Sequence, residues 1–120
     1  MTTSELSIAV VDRFNRAFNA HDVDALAECL TDDTVFEDTW PPDGRRVEGK
    51  SAVVAHWRAW FARNPDATFE AEETIVADNR VIVCWNYRKL REGKPWHIRG
   101  VDIFTVRDGK VAAKIAYVKG

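Results

Sequence analysis

The chain has 120 residues, 46% hydrophobic and 30% charged, with 17 basic against 19 acidic side chains and a formal net charge of −2. That length fits a single domain, residues 1–120, able to bury about two-thirds of its unfolded surface and so to hold both a core and a small cavity. The charge balance excludes the basic footprint of a nucleic-acid binder, with Arg45-Arg46 and the group Arg88, Lys89, Arg91 and Lys94 reading as solvated turns, and the absence of an apolar run of about 18 residues or a leader pattern predicts a soluble, cytoplasmic protein with no membrane partner.

Thr2 and Glu5 have capping-box spacing, and Leu6, Val10, Phe14 and Phe18 then recur every fourth residue beside Val11 and Ala17, predicting an amphipathic helix over about residues 4–20. Asp22 caps a second, short helix with Leu26, Cys29 and Leu30 on its apolar edge, ended by Thr31-Asp32-Asp33. A strand follows in TVFEDTW. After Gly49, the positions Val53, Val54, Trp57, Trp60 and Phe61 mark a third helix that Asn64-Pro65 stops. From residue 67 the period changes to 2, and Asp78-Asn79, Glu92-Gly93 and Asp108-Gly109 divide the rest into four strands joined by turns too tight for anything but antiparallel neighbours. This order is α+β, with the helices on one face of a curled antiparallel sheet. Cys29 and Cys84 lie inside patterned elements without C-x-x-C spacing and read as reduced thiols, neither a disulfide nor a metal pair.

Strand alternation singles out two acids. The even positions Thr34, Phe36, Asp38 and Trp40 share one face, as do Trp96, Ile98, Gly100, Asp102, Phe104 and Val106, so Asp38 and Asp102 both look inward. Burial of a carboxylate among rings disfavours its charged form and raises its pKa by up to about 3–5 units, a tuning that general acid/base chemistry uses and core stability does not. Both are candidate catalytic groups. The odd positions Val81, Val83, Trp85 and Tyr87 of one strand, and Val111, Ala113, Ile115 and Tyr117 of the last, are read as meeting the helices. The expected interior is aromatic, with Phe14, Phe18, Trp40, Trp57, Phe61, Trp85, Tyr87, Phe104 and Tyr117 as ligand contacts and only a few polar groups reaching in, the form of a small-molecule site.

Other polar residues read as bystanders. His56 and His97 are boundary or exposed positions, and His21 belongs to the helix junction. No metal is expected, since the histidines are far apart and Asp32, Asp33, Glu37 and Asp43 match no ligand spacing; no cofactor is implied. Arg99 lies three residues before Asp102, on the opposite face of a regular strand, and only a bulge at Gly100 would turn it inward. The mixed face His97, Arg99, Val101, Ile103 and Thr105 reads as a subunit contact.

The segments DRFNRAFNAHDVDALAECLTDDTVFED, RRVEGKSAVVAHW and RGVDIFTVRDGKVAAKIAYV together resemble the nuclear-transport-factor-2-like superfamily, which includes ketosteroid isomerases and SnoaL-like polyketide cyclases. The resemblance implies a cone-shaped curved sheet closed by three N-terminal helices, the cystatin-like or SnoaL-like roll. It places the isomerases' general base on Asp38, in FED, and their protonated enolate-stabilising acid on Asp102, in V-D-I-F; ketosteroid isomerase is the standing example of a carboxylic acid kept neutral by an apolar site. SnoaL-like cyclases imply the exchanged roles, with the acid near Asp102 as base. The implied function is proton transfer alpha to a carbonyl of a small, largely apolar ligand, without a cofactor. Phe14 stands where the isomerases have an oxyanion tyrosine, which supports the alternative of a non-catalytic ligand-binding or dimerisation module. A further alternative, an epoxide hydrolase like the limonene-epoxide branch, requires Arg99 to reach the pocket. Pairing through the outer sheet face, common in the superfamily, implies a homodimer.

Overall fold

The Thr2 side chain accepts the Glu5 N–H while the Glu5 carboxylate accepts the Thr2 N–H, and this reciprocal cap opens α1 (Thr3–Asn19). Asp22 caps α2 (Val23–Glu28) through the Ala25 N–H. The remaining elements of the computed structural model, which describes residues 1–120, are β1 (Leu30–Glu37), β2 (Arg46–Glu48), α3 (Lys50–Arg63), β3 (Thr68–Ala77), β4 (Arg80–Arg91), β5 (Lys94–Arg107) and β6 (Lys110–Val118). None of the helices is long and apolar enough to cross a membrane. The hairpin turns Glu92-Gly93 and Asp108-Gly109 have positive φ at both residues, the geometry that matches the twist of antiparallel strands.

The strands form one sheet in the order β2-β1-β6-β5-β4-β3, and three helices close its concave face, the expected α+β cone. Four details differ from the sequence reading. β1 runs parallel to β6, so the sheet is mixed. β1 also starts at Leu30, so Thr31-Asp32-Asp33 is strand and not a break; Asp32 and Asp33 face solvent while the Thr34 hydroxyl donates to the Val111 carbonyl at 3.0 Å, a partner no local pattern reveals. The short strand β2 was not foreseen at all.

The fourth difference decides which side chains enter the cone. Opposite β5, Val106 pairs with Val111 but Thr105 pairs with Ala113, so Ala112 is an extra residue in β6. Beyond it the parity reverses: Lys114 is buried at 6% exposure, whereas Tyr117 is 56% exposed. The expectation that Ala113, Ile115 and Tyr117 face the helices is therefore corrected, and the even positions point inward instead.

Phe14 and Phe104 are fully buried and meet edge to face at 5.4 Å, joining α1 to β5, with Trp57 of α3 packed on Phe14 at the same separation. This cluster, with Leu26, Leu30, Val53 and Val111, fills one end of the cone and leaves the other end open.

Candidate functional site

The open end is a cavity of about 490 Å³. Its walls come from α1 and α3 (Phe18, Trp57, Trp60) and from the sheet (Phe36, Phe69, Trp85, Tyr87, Trp96, Ile98); Asp102 and Lys114 are its buried charged groups, and Thr39, Trp40, Pro41, Arg45, His56, Arg63, Asn64 and Lys89 surround the mouth. The dominant character is aromatic, with few polar groups converging inside.

Asp102 is 5% exposed, and its Oδ2 lies 3.7 Å from Nζ of Lys114. Burial lifts the Asp102 carboxyl above the usual carboxylate range, opposed by the Lys114 charge and by the nearby Trp85 indole. Burial in turn pushes the Lys114 ammonium below its ordinary value, opposed by Asp102. Both groups thus shift toward their neutral forms. The ammonium nitrogen stands over a cage of rings, 4.4 Å from the centroid of Phe18, 5.2 Å from Phe36 and 5.5 Å from Phe14 and Trp57. The Nε1 atom of Trp57 is buried with no acceptor from the protein, which leaves an indole donor unused in the wall of this cavity.

Asp38 follows β1 in the loop to β2 and behaves in the opposite sense. Burial pushes its carboxyl up, but the backbone N–H groups of Trp40 (3.0 Å) and Arg45 (2.7 Å) and the Arg45 Nε–H (2.7 Å) outweigh it and hold the group below its ordinary value. The expected elevation of this pKa is corrected: the carboxylate is occupied in shaping its own loop. Arg45 then lies over the Trp40 ring at 4.8 Å, fixing one lip of the mouth.

His56 of α3 packs 5.4 Å from Phe36, and burial lowers its pKa against the raising influence of Asp38. Tyr87 is 9% exposed; burial, helped by Asp66, pushes its hydroxyl up to about 12, so it remains an O–H donor. No group of three or more His, Cys, Asp or Glu side chains comes together in a metal-binding arrangement.

Of the residues expected from sequence, Asp38, Asp102, Phe18, Trp40, Trp57, Trp85 and Tyr87 line the cavity together. Phe14, Phe61 and Phe104 lie outside its lining, in the core: helical and strand parity identifies inward side chains but cannot separate those that fill the closed end from those at the open one. Phe61 stacks on His21, 4.4 Å away, at the helix junction. Tyr117 is on the far face of the sheet, displaced by the β6 bulge. Arg99 points away from the cavity and donates to Glu72 at 2.8 Å, and the β4–β5 register runs through Gly100 without a bulge. Sequence reasoning missed Lys114, His56, Trp60, Phe69 and Trp96. The signal for Lys114 was available, since it is a lone charge in the apolar run VAAKIAYV, but unbroken alternation assigned it to solvent.

The family model of the SnoaL-like domain matches residues 11–114. Among solved structures, an NTF2-like protein of unknown function from Mesorhizobium loti is 37% identical, the match covering 100% of this chain and 96% of that one with a TM-score of 0.85. A candidate polyketide cyclase from Sinorhizobium meliloti is 26% identical over 90% of this chain and 93% of its own, with a TM-score of 0.75. A Mycobacterium tuberculosis protein is also 26% identical, over 98% and 93% of the two chains, with a TM-score of 0.81. No curated protein matches the sequence.

Proposed function

The chain belongs to the SnoaL-like domain family, and from that premise we propose that it is an enzyme of the ketosteroid-isomerase or polyketide-cyclase kind that moves a proton alpha to a carbonyl of a small, largely apolar compound, with Asp102 as the proton-transfer group. The observation that carries this reading is a buried carboxyl, lifted above its usual range, in an aromatic cavity. A carboxyl so tuned gives and takes protons more evenly near neutral pH than an ordinary one. Asp38, already engaged by three donors, serves the mouth, which leaves the base's role to Asp102, as the resemblance to the cyclases implies. Tyr87 supplies a hydroxyl to the cavity in place of the one Phe14 lacks, available to a developing enolate oxygen.

The test is deuterium uptake at the alpha positions of a panel of enolisable ketones in heavy water, followed by NMR. Asp102→Asn is expected to lower the protein-catalysed rate by about 10²–10⁴, and an unchanged rate in a folded variant overturns the assignment. A second reading, a module that binds without reacting, draws on Phe14 and on the engagement of Asp38; ketones bound by the cavity but never exchanged would favour it.

A further inference from the structure

The Asp102–Lys114 pair is a poor structural device. Its separation of 3.7 Å is long for a charge-assisted hydrogen bond, and no hydrogen bond holds the Lys114 ammonium, whose other neighbours are ring faces. An apolar pair of similar volume would serve a core as well or better. Both groups nevertheless border the main cavity, and both also border a second recess of about 70 Å³ lined by Asn15 and Asn19 of α1 and by Trp85.

We propose that Lys114 is an amine nucleophile that joins the carbonyl ligand of this cavity as a Schiff base, so that Asp102 draws its proton from an iminium and not from a free ketone. The inference rests on the reading of the cavity as a site for carbonyl compounds. An amine desolvated among apolar groups is held nearer its neutral, nucleophilic form, which is how lysines become Schiff-base residues. The carbonyl carbon is bonded by Nζ, and a proton passes from nitrogen to oxygen to give a carbinolamine. The Asp102 carboxyl then protonates the departing hydroxyl, releasing water and leaving an iminium beside a carboxylate. That carboxylate removes the alpha proton, and the electron pair of the broken C–H bond moves into the C–C bond to make a neutral enamine. Reprotonation at carbon and addition of water return the ketone and the free amine. The step needs no oxidant or reductant, and it starts and ends with the neutral pair toward which both groups are shifted. The recess lined by Asn15 and Asn19 offers the released water polar partners.

The test uses 2,4-pentanedione, whose adduct with an amine is a stable, absorbing enaminone, and cyclohexanone with cyanoborohydride, which reduces an iminium to a secondary amine. Peptide mass mapping reads the site in the unaltered protein, so the result does not depend on how a variant folds. Lys114 is expected to take the label ahead of the exposed Lys94, Lys110 and Lys119, and Lys114→Met is expected to lose the new absorbance. Label confined to the exposed lysines overturns the proposal. Alpha-proton exchange that depends on Asp102 and continues in Lys114→Met also overturns it while leaving the proton-transfer reading intact. Label at Lys114 with no exchange supports the covalent step and removes the proton-transfer reading.

Discussion

Asp38 and Asp102 look alike in sequence, each an acid at an inward position of an apolar strand face, yet their surroundings drive them apart. Asp102 meets rings and one distant ammonium; Asp38 meets three N–H donors at its own turn. The difference makes a pH prediction. The Asp38 pKa is lowered from 3.8, so the folded state holds its proton less tightly than the unfolded chain does. Its stabilisation is complete above the unfolded value and is lost as pH falls through the lowered folded one. Urea unfolding of the wild type and Asp38→Asn is expected to show a gap of about 1–3 kcal/mol at neutral pH that closes as pH falls below the unfolded value of 3.8; a gap independent of pH would contradict the described carboxylate contacts.

At the scale of elements, β5 carries the cavity's buried acid because Gly100, two residues earlier, leaves room for Trp85 of β4 to lie across it. A Cβ built there falls 2.3 Å from the Tyr117 carbonyl oxygen and 2.5 Å from Cη2 of Trp85. Gly100→Ala is expected to cost about 1–3 kcal/mol, the usual range for overpacking, and to turn the Trp85 ring, seen as a change in tryptophan fluorescence on thermal melting; an unchanged melt and spectrum would show that β6 yields without cost. Helices were the more legible elements: α1 declares itself by its cap and four-residue repeat, and α3 by Trp57 and Phe61 with Asn64 after them. β2 has only three residues, too few for a period, and its partner across the loop is β1.

The whole molecule presents an outer sheet face that the helices do not cover. Ile75 is 48% exposed and Tyr117 56% exposed there, with Val101, Ile103 and Ile115 half-buried between them and the Arg99–Glu72 ion pair alongside. The β6 bulge adds to this face by moving Ile115 and Tyr117 onto it. We propose that two copies pair through it, since a contiguous apolar patch on a sheet is seldom left in water. Sedimentation equilibrium at micromolar concentration is expected to give twice the chain mass of 13.7 kDa; the mass of a single chain would refute the pairing.

From the sequence alone came the three helices, the order of every strand but β2 and the inward direction of Asp38 and Asp102, because caps, turns and periods of 3.6 and 2 are written in neighbouring residues, while the cone was implied by the family resemblance. Only the tertiary structure decided that β1 runs parallel to β6, that one extra residue at Ala112 brings Lys114 in and sends Tyr117 out, and that Phe14 and Phe104 close the core while Trp85 and Tyr87 line the cavity. It also decided the opposite shifts of the two acids. A bulge is a count of residues against a partner strand, and a pKa is set by charges and donors brought from elsewhere in the chain, so neither is present in any local window of sequence.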